Sequence, residues 1–267
     1  MSKENKMEDL RKYNPEGSTL RKAQLRMLEI LKIVDSIFSK HHIDYYLDGG
    51  SLLGAVRHGG FIPWDDDIDI SVRREDLGRI KKILQEELPD NLVFQDRFTD
   101  WNLPVLIAKV RDKNSYFYEE EYTNRLKEKG LFIDIIPMEK IPSWSWKQKL
   151  DYWYGHCVRS IHNYYSFPDK IISYLLFPFT WSLVKLTRCV NHFIPSLQVA
   201  DIYGWKPTGF YMKEDVYPIK RINFEGFQAC VPNNPDAVLK GLFGDYMQIP
   251  PEEKRRVHST KIEFYDE

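Results

Sequence analysis

Residues 45–72 read YYLDGGSLLGAVRHGGFIPWDDDIDISV, and three local patterns meet in that one stretch. The apolar run IDYYLDGG (43–50) stops at a glycine pair as a strand does. SLLGAVRH (51–58) has the length and composition of a helical piece, and DIDISV (67–72) alternates acidic and apolar residues as a second strand. Residues two apart on a strand share a face, so Asp65, Asp67 and Asp69 are expected on one side while Ile68 and Ile70 enter the core. Grouped carboxylates repel unless a cation or a proton neutralises them. An all-oxygen set suits Mg²⁺ or Mn²⁺, ions that bridge phosphate oxygens in phosphoryl transfer. Gly49 and Gly50 permit close backbone approach, and the N–H groups opening the Ser51 helix point at an anion. The stretch therefore predicts a metal site on the face shared by Asp65, Asp67 and Asp69, beside a phosphate cradle at Gly49, Gly50 and Ser51.

A third ligand is expected at Asp134. It is flanked by apolar residues in LFIDIIP (131–137), where an uncompensated carboxylate would be costly. An EF-hand would place Asp65, Asp67 and Asp69 at its first, third and fifth positions, but Ile70 then stands where glycine is required. A solvated acidic loop fits poorly with the alternating isoleucines and the glycine turn. An Asp-x-Asp sugar-nucleotide site of a glycosyltransferase remains open, because it too uses carboxylates and a divalent metal.

Outward from this stretch, STLRKAQLRMLEILKIVDSIFSKHHI (18–43) reads as a helix capped by Ser18, with Leu25, Leu28, Leu31, Val34 and Phe38 on one face. EDLGRIKKILQEEL (75–88) is a second helix, and NLVFQDRF (91–98), LPVLIAKVRD (103–112) and LFIDIIPM (131–138) are strands. From Ser143 two aromatic-rich helical stretches follow without strand-like alternation. The C-terminal part holds a hairpin, a helix after Asn234-Pro235 and a basic tail. The expected class is α/β (α+β), a mixed sheet with flanking helices. Its catalytic core is 1–142, its helical insert 143–197, and 198–267 is a C-terminal segment returning to the core.

With 267 residues, 43% of them apolar and 14% aromatic, a sizeable core is available. The net charge of −1, from 38 basic and 39 acidic side chains, gives no global attraction for nucleic acid. Cys157, Cys189 and Cys230 lack disulfide or zinc spacing, and the polar leader has no apolar h-region, so a cytoplasmic setting is expected.

LDGGSLLGAVRHGGFIPWDDDIDI (47–70) resembles the signature of the LicD family, phosphocholine transferases of bacterial surface polysaccharides. That family is related to fukutin-type proteins and has a nucleotidyltransferase-like fold. The likeness continues through LIAKVRDKNS (106–115) and LFIDIIPM and returns in FGDYMQIPPEEKRRVHS (243–259). It implies Gly50-Ser51, Asp67 and Asp69, then Asp134, as the nucleotidyltransferase pattern. It further implies transfer of phosphocholine from CDP-choline to a sugar hydroxyl of a lipid-linked teichoic acid or lipopolysaccharide precursor, with Asp134 also helping to deprotonate the acceptor. Glycerol or ribitol phosphate from another CDP-linked donor, and a non-catalytic binding scaffold, are the alternatives.

Several further residues carry two readings each. Arg57 and His58 are diphosphate contacts or surface groups, and Lys109 and Arg111 offset phosphate charge or form a strand-end salt bridge. Asp48 caps the glycine turn. Trp64 is a stacking platform or a core residue. Lys254, Arg255, Arg256 and His258 form a solvated face or, as the resemblance implies, close over the site. His41, His42, His156, His162 and His192 have no ligand spacing and are assigned no role. IISYLLFPFTWSLV (171–184) is uncharged, too short to span a bilayer and interrupted by Pro178. With Phe177, Phe179 and Trp181 between Lys170, Lys185 and Arg188, it reads as an interfacial helix at the inner membrane face or as a helix packed on 143–166.

Overall fold

The computed structural model describes residues 9–119, 121–141, 145–161, 167–194, 196–201, 210–255 and 257–265. Helix α1 (Thr19–Lys40) is capped by Ser18, whose Oγ accepts from the Arg21 N–H at 3.2 Å. Its inner face carries Ala23, Met27, Leu28, Ile30, Leu31, Val34 and Phe38, all buried. Each fully buried large apolar side chain contributes about 1.5–3 kcal/mol, so this face anchors the core. Leu25 lies outside it and is exposed. Strand β1 (Tyr45–Leu47) leads through Asp48 into α2 (Gly49–His58), followed by β2 (Asp69–Arg73), α3 (Leu77–Glu87), β3 (Leu92–Gln95), β4 (Ala108–Asp112), β5 (Ser115–Tyr118) and β6 (Phe132–Lys140).

The main sheet runs β1-β2-β6-β4-β3, and only β2 and β6 are parallel along that path. It is the mixed, helix-flanked α+β sheet that the patterns predict. The strand expected over 103–112 is confined to 108–112; Pro104 in its first half has no N–H for a ladder. Strand β6 is long enough to hold two partners on one edge. Its first half pairs with β4 and its second with β7 (Gln198–Asp201), which in turn pairs with β8 (Phe210–Met212).

The insert between β6 and β7 is helical, as expected: α4 (Ser145–Ile161) and α5 (Phe167–His192), packed around Tyr154, Val158 and Val184. Phe177 of α5 stacks on Tyr154 with centroids 5.8 Å apart, whereas Phe179 is 67% and Leu175 75% exposed. No described helix is long and apolar enough to cross a membrane. After the short helix α6 (Lys213–Val216) comes the predicted hairpin, β9 (Lys220–Phe224) and β10 (Phe227–Val231), turned by Glu225 and Gly226 at φ 53° and 78°. Helix α7 (Pro235–Phe243) starts behind an Asn234 cap, and β11 (Lys261–Phe264) returns to pair with β5.

Candidate active site: an acidic cluster at a helix N-terminus

Asp48 makes the turn that the glycine pair suggests. Its Oδ1 accepts from the Gly49 N–H at 2.8 Å, its carbonyl accepts from Leu52 N–H at 3.1 Å, and its Oδ2 accepts from the Ser71 hydroxyl. Two of the first N–H groups of α2 are thus occupied, leaving those of Gly50 and Ser51 as its free-end donors. The Ser51 hydroxyl accepts from the Asp69 N–H at 2.9 Å, so the cradle and the acidic strand are tied directly. Gly49 takes φ 50°, and a Cβ there would lie 3.2 Å from Asp69 Oδ2. A Cβ on Gly50 would lie 2.8 Å from Asp65 Oδ2. The glycines are therefore what allows two carboxylates to lie against the helix end.

The acidic run joins the sheet later than its alternation predicts. Strand β2 begins at Asp69, and 65–68 approach as an irregular segment. Asp66 is the reason. Wholly buried, it accepts from the His258 N–H at 3.0 Å and the Ser259 N–H at 2.6 Å, and its Oδ1 lies 3.0 Å from His258 Nδ1. These bonds turn it out of the strand and latch the C-terminal tail over the site. Burial alone would raise its pKa; the hydrogen bonds from His258 and Ser259 outweigh that and lower it. His258 rises to about 9, chiefly through its bond to Asp66 and further through Asp67, whose Oδ2 is 3.4 Å away.

Asp69 and Asp134 stand opposite each other in the parallel pair β2-β6, and Asp134 stands opposite Lys109 in β4. Lys109 Nζ lies 2.7 Å from Asp134 Oδ1 and 3.3 Å from the Phe132 ring centroid. Burial raises Asp134 despite this lysine. Asp67 is pushed up to about 6 by burial, with His258 opposing and Asp134 adding. Asp65 and Asp69 lie well above the carboxylate range, through burial first and then the charge of Asp67. Lys109 and His258 thus cannot keep all of the clustered carboxylates ionised, and without a further cation the cluster holds protons instead. An oxygen-only set with surplus charge is what a hard divalent cation requires. Asp65, Asp66 and His258 also bring one ligand atom each within 4.8 Å of one another, but Asp66 spends both oxygens on the tail and His258 serves it as a donor.

The other expected residues divide. Arg57 and His58 lie at the far end of α2, roughly 12 Å along the axis from Gly50 at 1.5 Å per residue. Arg57 Nη1 donates there to the Tyr246 carbonyl at 2.8 Å and Nε to His58 Nε2 at 3.0 Å. Burial and the Arg57 charge pull His58 down to about 4. The structure does not bring this pair to the carboxylates. Arg111 is buried beside Lys109 on the same strand face, giving Nε to Gln95 and Nη1 to the Gly130 carbonyl at 2.7 Å. Trp64 is a core residue, edge-on to Tyr13 at 5.4 Å and covered by Arg255 at 4.9 Å. Arg256 lies outside the described residues, and Lys254 is exposed. Gln24 carries no signal of a role at the site in the sequence. It is fully buried in α1, and its Nε2 donates to the Asp65 carbonyl at 2.8 Å, holding the acidic segment from behind.

A sequence profile of the LicD/FKTN/FKRP nucleotidyltransferase domain matches residues 42–182, the span that holds the glycine turn, all four clustered carboxylates and Lys109. The lipopolysaccharide cholinephosphotransferase LicD of Haemophilus influenzae is 27% identical over 265 residues, spanning 90% of this chain and 96% of that protein. An uncharacterized protein of Rickettsia prowazekii is 38% identical over 139 residues, half of this chain and 51% of that one. The mouse ribitol 5-phosphate transferase FKRP is 40% identical over 72 residues, 27% of this chain and 15% of that protein.

Proposed function

The chain belongs to the LicD/FKTN/FKRP nucleotidyltransferase family, and from that premise we propose that it moves phosphocholine from CDP-choline to a sugar hydroxyl of a lipid-linked surface-glycan precursor. The observation that carries the reading is the buried carboxylate set Asp67, Asp69 and Asp134 at the open N-terminus of α2, in a chain collinear with a cholinephosphotransferase over nearly its whole length. Asp67, Asp69 and Asp134 would hold Mg²⁺ or Mn²⁺, which when bound supplies positive charge to the donor phosphates. The Gly50 and Ser51 amides would receive a donor phosphate oxygen at the helix end. Lys109 fixes the Asp134 carboxylate and adds a positive charge behind it. The acceptor hydroxyl would give its proton to a cluster carboxylate, Asp134 by preference, as its oxygen bonds to phosphorus and CMP leaves. Asp66 and His258 tie the tail beside the cluster, where it would limit the access of water to the reacting phosphate.

The test is to incubate purified protein and Mg²⁺ with separate CDP-linked donors and a crude lipid-linked saccharide pool, and to follow CMP release. Release from CDP-choline, stopped by EDTA and restored by Mg²⁺ or Mn²⁺, is expected. Full turnover in EDTA, or no release from any CDP-linked donor, contradicts it. Ribitol phosphate is the second reading, favoured by the 40% identity to mouse FKRP; preferential CMP release from CDP-ribitol would establish it instead.

A further inference from the structure

The tail beside the carboxylate cluster is held by its backbone. Asp66 accepts from the His258 and Ser259 N–H groups at 3.0 and 2.6 Å, the Thr260 N–H donates to the Tyr118 carbonyl at 2.9 Å, and β11 then pairs with β5. None of these bonds needs the imidazole of His258. That ring nevertheless stands among carboxylates, its Nδ1 3.0 Å from Asp66 Oδ1 and 3.4 Å from Asp67 Oδ2. A buried carboxylate bonded to one ring nitrogen fixes the orientation of an imidazole and aims the other nitrogen outward. Here the other nitrogen, Nε2, has no hydrogen-bond partner among the described residues, and the side chain is 52% exposed. The bond to Asp66 chiefly raises the ring to about 9, so both nitrogens carry protons at neutral pH.

The ring also lies near the glycine cradle. One ligand atom from each of Asp65, Asp66 and His258 falls within 4.8 Å of the others, and Asp65 Oδ2 is 2.8 Å from the point where a Gly50 Cβ would stand. Gly50 and Ser51 offer N–H donors but no full charge. The other cations expected at a donor phosphate are committed elsewhere. Lys109 is buried with its Nζ on Asp134 at 2.7 Å, Arg111 is buried on Gln95 and the Gly130 carbonyl, and Arg57 bonds the Tyr246 carbonyl at the far end of α2. His258 is a half-exposed cation beside the cradle, and a fixed N–H aimed at a phosphate oxygen stabilises the charge that builds there as the leaving bond breaks.

We propose that His258 is a further catalytic residue, its Nε2–H binding a phosphate oxygen of the nucleotide-linked donor together with the Gly50 and Ser51 amides, and that Asp66 is the positioning residue that aims it. The inference rests on the phosphoryl-transfer reading of the carboxylate site but not on the head group. As the acceptor oxygen bonds to phosphorus, the bond to the CMP oxygen breaks and its electron pair leaves with CMP; His258 keeps its proton and gives a hydrogen bond only. His258→Asn tests this on the full chain, because its amide nitrogen can take the place of Nδ1 on Asp66 while Nε2 is lost. With Mg²⁺ and the CDP-linked donor that the wild type uses, its CMP release should fall about 10²-fold, with the tail still resistant to proteolysis within 251–265. His258→Gln, whose amide nitrogen stands nearer the place of Nε2, should retain more activity. A thermal shift with Mg²⁺ and inorganic pyrophosphate reads the phosphate contact without turnover, and His258→Asn should reduce the wild-type shift. Turnover and shift equal to wild type in His258→Asn would overturn the proposal while leaving the transfer reaction standing. Lost turnover with a cleaved tail would make the ring a structural tie and also contradict it. No CMP release from any CDP-linked donor would remove the transfer reading instead. The pyrophosphate shift then decides: its reduction in His258→Asn supports the contact, and its absence from the wild type or its persistence in the variant contradicts it.

Discussion

The two ends of the parallel pair β2-β6 carry opposite charge problems. At the starting ends Asp69 and Asp134 face each other with Asp65 and Asp67 close by, opposed by one lysine and by one histidine shared with Asp66. At the finishing ends Arg73, Arg74, Lys140 and Arg188 line one cavity; Arg74 and Arg188 reach Glu139, and Arg73 pairs with Asp44 at 3.0 Å. Hydrophobic burial from α1 and the sheet stabilises the strands between, so each end can hold unbalanced charge that neither could hold alone. The difference lies in how the surplus is held. The acidic end is rigid, set by the α2 cap, by Ser51 and by Gln24, whereas the basic end is walled by the insert.

The largest effect that would break this comparison is at Asp134. Asp134→Asn should lower CMP release by about 10²–10³-fold, the range for one electrostatic contact made to a transition state; a loss under tenfold would move the reaction elsewhere. Gly50→Ala comes next, since its Cβ would meet Asp65 Oδ2 at 2.8 Å. Displacing the carboxylate should cost on the order of 10²-fold in turnover, with a cooperative melt retained. Asp66→Ala should act on the fold instead. Two backbone N–H groups and the His258 ring lose their acceptor, for about 2–4 kcal/mol and about 5–10 °C in Tm. Limited proteolysis should then cut within 251–265.

The smallest effect is a slope in Tm with pH. Asp67 titrates near about 6 in the folded chain against 3.8 unfolded, so its contribution is full at low pH and is lost as pH rises through about 6. His258, at about 9 against 6.5, contributes fully below its unfolded value and loses this as pH rises through about 9. Both act in one direction, while the lowered Asp66 has completed its opposite contribution above the ordinary carboxylate range. Without divalent ions Tm should therefore fall between about pH 5 and about pH 9, and Mg²⁺ should flatten the acid half of the slope. A Tm that rises over the acid half contradicts the raised carboxylates.

What the sequence disclosed followed the range of each signal. Ser18, the hairpin glycine and the Asn234 cap act over a few residues and were legible. Asp134 was legible because a carboxylate between isoleucines demands a reason, and Lys109 supplies part of it in the adjacent strand. The Asp66–His258 latch joins residues 192 apart, and no local pattern announces it. Asp66 itself looked like one more member of the acidic run. Arg57 and His58 sat near the acidic run in sequence, but one helix length carried them to the tail. Gln24 is masked by its position in an amphipathic helix, where a polar residue reads as solvent-facing.

If the acidic end gives up stability for chemistry, Asp69→Asn shows both on one preparation. Its side chain is replaced by an isosteric amide while the backbone bond to Ser51 remains. CMP release with Mg²⁺ and a CDP-linked donor should be abolished, and Tm in EDTA should equal or exceed that of the wild-type chain, because one of several repelling carboxylates is gone. Near-normal CMP release would show that Asp69 is not part of the reacting site, and a melt lowered by several degrees that its carboxylate stabilises the fold.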